Sequence, residues 1–75
     1  MNVVEAFGIT LKKYRTEKNL SQEKLALNCN LDRTYIGLLE RYQRQPTIST
    51  IFALCDQLGV APHEFIKEVE KIIQE

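Results

Sequence analysis

The chain has 75 residues, with ten Lys plus Arg against ten Asp plus Glu, 44% apolar residues and 27% charged ones. One compact domain is the ceiling at this length, because so short a chain buries only about 60% of its unfolded surface, and an ordinary globular composition excludes a disordered tail or a collagen-like fibre. No apolar run approaches the roughly 20 residues that cross a bilayer, and Asn2 and Glu5 stand where an export signal would carry its basic and apolar regions, so a cytoplasmic location with Cys29 and Cys55 as free thiols is expected.

Strand signals are nearly absent, and an all-α fold of five short helices follows. Phe7, Leu11 and Tyr14 recur at i, i+4 and i+7 on a first helix from about Val4 to Lys18, which leaves Lys12, Lys13 and Arg15 on other faces. Ser21 is a good N-cap for a second helix, whose Leu25, Ala26 and Cys29 line one side. Asn30 is the expected turn residue, since Asn tolerates left-handed backbone, and Leu31 follows as a core plug. Asp32 caps a third helix, with Ile36 and Leu39 inward and Arg33, Thr34, Gly37 and Arg41 outward. A fourth helix opens at Thr47 behind Pro46, carries Ile48, Ile51, Phe52, Cys55 and Leu58 on one face, and stops at Gly59. Pro62 suits the first position of a fifth helix running towards Ile73.

Two cysteines and one histidine, His63, cannot supply the four ligands of a structural zinc site, so no metal and no cofactor is expected. The thiols read as small apolar groups on helix faces. No nucleophile, base and orienting group stand at a recognisable spacing, which points away from an enzyme. The zero net charge hides an asymmetry. Residues 12–44 carry eight basic side chains against four acidic ones, and residues 45–75 carry two against five, as though one half faced an anion and the other solvent or protein.

The second and third helices are short, joined by about three residues, with small Ala26 where they must approach; that arrangement fits a helix-turn-helix over about residues 21–41. Here the sequence resembles the lambda-repressor-like, or XRE-type, DNA-binding family. The likeness runs through Leu20-Ser21-Gln22-Glu23-Lys24-Leu25-Ala26, Leu31-Asp32-Arg33-Thr34-Tyr35-Ile36 and Leu39-Glu40-Arg41, then Pro46 and Leu58-Gly59-Val60, and covers roughly residues 7–66. The run from Asn30 to Ile36 with Arg44 downstream is most like the controller proteins of restriction-modification systems, small dimeric regulators of their own operon. The family usually has glycine where this chain has Asn30 and often another where it has Tyr42. A tyrosine in left-handed backbone would be strained, so the loop after the third helix is expected to differ from that of relatives.

The resemblance implies a transcriptional regulator that binds double-stranded operator DNA, with RNA polymerase as a further partner. The front of the third helix would meet base edges: Arg33 has the fork that bonds guanine O6 and N7, Thr34 offers a hydroxyl and a methyl, and Tyr35 could reach a phosphate or pack internally. Gln22, at the start of the second helix where free amides favour an anion, is expected at the DNA backbone, as are Arg44 and Gln45 in the following loop, with Lys24 and Arg15 as further phosphate neutralisers. Glu40 would be repelled by phosphate, so an internal role, such as pairing with an arginine, is expected. One such helix reads few base pairs, and proteins of this type bind two half-sites about 34–36 Å apart. The second copy would be held by the fifth helix, about residues 62–74, where Phe65, Ile66, Val69, Ile72 and Ile73 form a wide stripe; Phe65 and Val69 are expected to cover the monomer core in part, and the rest is too apolar to leave wet. A phage-type repressor, an antitoxin or a protein-binding adaptor on the same fold is the alternative reading.

Overall fold

The computed structural model describes residues 1–75, with α1 at Val3–Glu17, α2 at Gln22–Cys29, α3 at Arg33–Glu40, α4 at Ile48–Leu58 and α5 at Pro62–Gln74. Four of the five begin on a side-chain cap. The Oγ of Ser21 accepts from the Lys24 amide at 2.9 Å, Oδ1 of Asp32 from the Thr34 amide at 2.7 Å, and Oγ1 of Thr47 from the Thr50 amide at 3.1 Å. These satisfy amides that have no partner inside the first turn. The cap of α1 escaped the sequence reading: Asn2 and Glu5 form a reciprocal capping box, which starts the helix one residue earlier than expected. Pro62 opens α5 with no side-chain cap.

The helix ends share one device. Asn19, Asn30, Tyr42 and Gly59 all have φ between +58° and +69°, and after each the next amide reaches back to a carbonyl five residues earlier: Leu20 to Arg15, Leu31 to Ala26, Gln43 to Leu38 and Val60 to Cys55. This left-handed closure satisfies carbonyls that the helix leaves bare. Asn30 therefore makes the turn of the α2–α3 pair as expected. The loop at Tyr42 keeps the left-handed turn instead of departing from it. Its ring lies over Gly8, where an added Cβ would stand 2.8 Å from Cδ1 of Tyr42 and 2.6 Å from the Leu39 carbonyl oxygen. A glycine on α1 thus admits both α3 and the ring that closes its last turn.

The core gathers Ala6, Phe7, Leu11, Leu25, Ala26, Ile36, Leu39, Leu54, Cys55, Leu58, Phe65 and Val69. Phe65 packs at its centre, its ring centroid 5.2 Å from Phe7 and 5.5 Å from Tyr14. α1 is the hub, packed on α5 and on α3, while α4 bridges α2 and α5; the molecule measures 32 × 24 × 22 Å. No helix is long and apolar enough to cross a membrane.

Three expectations need correction. Phe65 and Val69 cover the monomer core as expected of that part of the stripe, so the dimer surface with which they were also counted loses both. Gly37 is buried, covered by the side chain of Arg41. The apolar residues of α4 divide between two destinations: Ile51, Leu54, Cys55 and Leu58 turn inward, whereas Ile48 and Phe52 remain 71% and 58% exposed. At 100° per residue the six span about 160° of the helix circumference, of which the core covers about 100° and leaves Ile48 and Phe52 along the remaining edge.

Both thiols are free. Burial pushes the Cys55 thiol up to about 11, and burial followed by the charge of Asp56 raises that of half-buried Cys29, whose Sγ lies 3.6 Å from the Ala53 carbonyl oxygen.

Candidate nucleic-acid interface

The α2–α3 pair is held from beneath by a polar cluster. Arg15 donates from Nε to Oε2 of Glu40 at 2.7 Å, from Nη2 to Oε1 at 3.0 Å, and from Nη1 to the Leu20 carbonyl at 2.7 Å. Gln22 Nε2 donates to the same Glu40 Oε1 at 3.0 Å. The carboxylate thus ties α1, α2 and α3 together through a two-pronged ion pair, the geometry in which guanidinium and carboxylate match best. Hydrogen bonding to Glu40 raises the Arg15 pKa despite the opposing effect of burial, so the guanidinium keeps its charge. No buried side-chain nitrogen or oxygen lacks a partner.

Arg15 therefore cannot serve at phosphate as the sequence suggested: its side chain is nearly buried and its fork is occupied. The signal was present, because Arg15 lies four residues beyond Leu11 and eight beyond Phe7 on the inward stripe of α1. Glu40 takes the internal role expected of it.

Above this cluster opens a hollow of about 180 Å³ lined by Gln22, Arg33, Thr34, Gly37 and Arg41, without one apolar side chain. Arg33 and Thr34 project from the first turn of α3 into solvent, with Asp32 engaged as the cap. Gln22 is half-buried, its amide held by Glu40. Tyr35 is also half-buried, packed against the core and outside the hollow. Lys24 stands exposed on the first turn of α2, likewise outside it. Arg44 and Gln45 lie exposed in the segment between α3 and α4. Glu40 is the acid beneath the hollow, and its charge is matched by Arg15, which leaves Arg33 and Arg41 as uncompensated cations at the opening. Arg41 escaped the sequence reading as a site residue, although it falls at i+8 from Arg33 on the same face of α3.

A second surface lies on α4 and α5. Ile48, Ile51, Phe52, Pro62, His63 and Ile66 line one shallow hollow, and Val3, Ile66, Val69, Glu70, Ile73 and Gln74 line the next. Ile66 belongs to both and to a third between α1 and α4, which Gln45 and Pro46 also border. Ile66 and Ile73 are partly exposed, while Ile72 packs against the core.

The helix-turn-helix family profile matches residues 11–65. The chain belongs to this family, whose members are DNA-binding regulators and not enzymes. Among individual proteins it is similar to the control protein C.SmaI of Serratia marcescens, 41% identical over 61 residues that cover 81% of this chain and 73% of that one. It is also similar to the restriction-modification controller protein C.AhdI from Aeromonas hydrophila, with 42% identity and a TM-score of 0.80 over 83% of this chain and 94% of that one. The controller protein C.Esp1396I, solved as a tetramer in complex with its natural 35 base-pair operator, superposes with a TM-score of 0.89 at 35% identity, covering 100% of this chain and 99% of that one.

Proposed function

We propose that this protein is a sequence-specific transcriptional regulator of the restriction-modification controller type, which binds double-stranded operator DNA as a homodimer. The observation that carries the reading is the exposed front of α3: Arg33 and Thr34 rise beside Gln22 and Arg41 at a hollow without apolar lining, over an acid already neutralised by Arg15. The names of C.SmaI, C.AhdI and C.Esp1396I support the controller role, and the operator complex of C.Esp1396I supports DNA as the partner. In this reading Arg33 bonds a guanine edge and Thr34 touches a base or its methyl. Gln22, Lys24, Arg44 and Gln45 meet the backbone, and Tyr35 steadies the front of α3 from behind. Operation in the cytoplasm, where the DNA is, and contact with RNA polymerase at the promoter belong to the same proposal.

The two copies meet through the outer edges of α4 and α5, with Ile66 central, Ile73, Ile48 and Phe52 around it, and Ile72 at the margin. Two α3 helices joined this way read half-sites about one turn of DNA apart. Selection of bound duplexes from a random pool tests the whole reading. A palindromic consensus with that spacing is the expected result, and an unenriched pool at moderate salt overturns it.

A further inference from the structure

Arg41 is the one cation of the hollow whose place no expectation explained. Its backbone amide closes the last turn of α3 on the Gly37 carbonyl, while its exposed side chain forms no hydrogen bond or ion pair within the chain. Yet its side chain lies back over the helix: a Cβ added at Gly37 would stand 3.1 Å from Nη1 and 3.6 Å from both Cζ and Nη2. Glycine in mid-helix costs roughly 0.5–1 kcal/mol relative to alanine, and at this position the missing methyl leaves the seat on which the guanidinium rests. The fork thereby lies back along α3 over Gly37, at the hollow that Gln22 also lines.

We infer that Arg41, seated on Gly37, clamps a single DNA phosphate together with Gln22 and so positions the base-reading front of α3. The inference rests on the DNA-binding reading above. Arg41 is the ninth residue from Arg33 along the helix, and eight steps of 1.5 Å set the two Cα atoms about 12 Å apart. The front of such a helix lies at the base edges, so its rear stands towards the rim of the groove, where the sugar-phosphate strand runs. Gln22 at the start of α2 brings an amide, and the free backbone amides of that first turn favour an anion. Charge agrees with this placement. Glu40 is engaged by Arg15 and Gln22, Asp32 by the Thr34 amide, and Arg33 adds a second positive charge at the same opening. A bidentate arginine is suited to phosphate oxygens, and a partner held in place beforehand loses less freedom on binding.

The test measures affinity across a salt series for wild type, Arg41→Ala, Arg41→Lys, Gly37→Ala and Arg33→Ala. The probes are the palindromic duplex recovered from the random pool and a scrambled duplex of equal length. Arg41→Ala is expected to weaken binding about tenfold on both duplexes alike and to reduce the salt slope by about one for each subunit bound. Arg41→Lys should keep the slope while losing part of the affinity. Gly37→Ala should hold or raise the melting temperature, since alanine favours helix, and still weaken binding several-fold by unseating the guanidinium. Arg33→Ala, in contrast, should fall mainly on the selected duplex. An unchanged slope for Arg41→Ala, or a loss confined to the selected duplex, overturns the phosphate clamp and leaves the DNA-binding reading intact. Wild type that favours neither duplex defeats the DNA-binding reading itself.

Discussion

Where α2 meets α3, every polar group below the surface has a partner: Glu40 holds Arg15 with both oxygens and Gln22 with one, and the side chains above it are free to meet water or an anion. Where α4 meets α5, the surface is mostly apolar: Ile48, Phe52, Pro62 and Ile66 offer nothing to water, and only His63 among its lining is polar. The first face is finished within one chain. The second is an apolar arc that the core covers in part and leaves bare along one edge, and on α5 as on α4 the uncovered residues adjoin the covered ones around the helix. The difference teaches that the face proposed to read DNA depends on internal order, whereas the apolar face, in the proposed dimer, depends on concentration, since a second copy would complete it.

Breaking the polar cluster should have the largest effect. Glu40→Ala strands the Arg15 guanidinium in a nearly buried site and frees Gln22, and losing one partner of a buried ion pair costs about 3–5 kcal/mol. Urea denaturation measures this; a loss below about 1 kcal/mol would place the pair with ordinary surface bridges. Ile66→Asp attacks the other face. The monomer should keep its melting temperature, because Ile66 is 46% exposed, while sedimentation shows the dimer weakened at least tenfold, about 1.4 kcal/mol or more. A dimer unaffected by the substitution would move the interface elsewhere.

Arg33→Ala should cost about 1–3 kcal/mol at the selected site and relax discrimination at one base pair; equal titration curves would remove Arg33 from the base contacts. The smallest effect comes from pH. The folded chain holds the Cys55 thiol at about 11, above its ordinary 9.0, so native protein keeps a proton that unfolded protein releases. The corresponding stability is intact below pH 9 and declines as pH climbs towards 11, by about 1 kcal/mol at pH 10. Comparison with Cys55→Ala isolates it: the variant should show a shallower decline over that interval, and parallel curves would mean that the thiol does not titrate there.

Much of this architecture was legible because helix ends announce themselves. Ser21, Asp32 and Thr47 at caps, Asn30 and Gly59 at left-handed turns, and Pro62 at a first position are choices a chain makes for local reasons, visible without the fold. The front of α3 was legible for the same reason, since Asp32 as cap decides which residues begin the helix. What stayed hidden depended on neighbours far along the chain. Arg15 looked like one more surface cation until Glu40, 25 residues later, came beside it. Tyr42 looked incompatible with a left-handed turn until Gly8 made room for its ring. Ile48 and Phe52 read as one face with Ile51, Cys55 and Leu58, because periodicity reports which way residues point and not how far the core extends.

The closeness of α1 and α3 at Gly8 has one more consequence. With α5 packed on the same α1, the helix proposed to join two copies and the helix proposed to read bases are braced to a common beam, with a backbone carbonyl where slack would otherwise be. In the proposed dimer, that brace makes the molecule a ruler: it rejects half-sites at the wrong separation even when each carries the right letters.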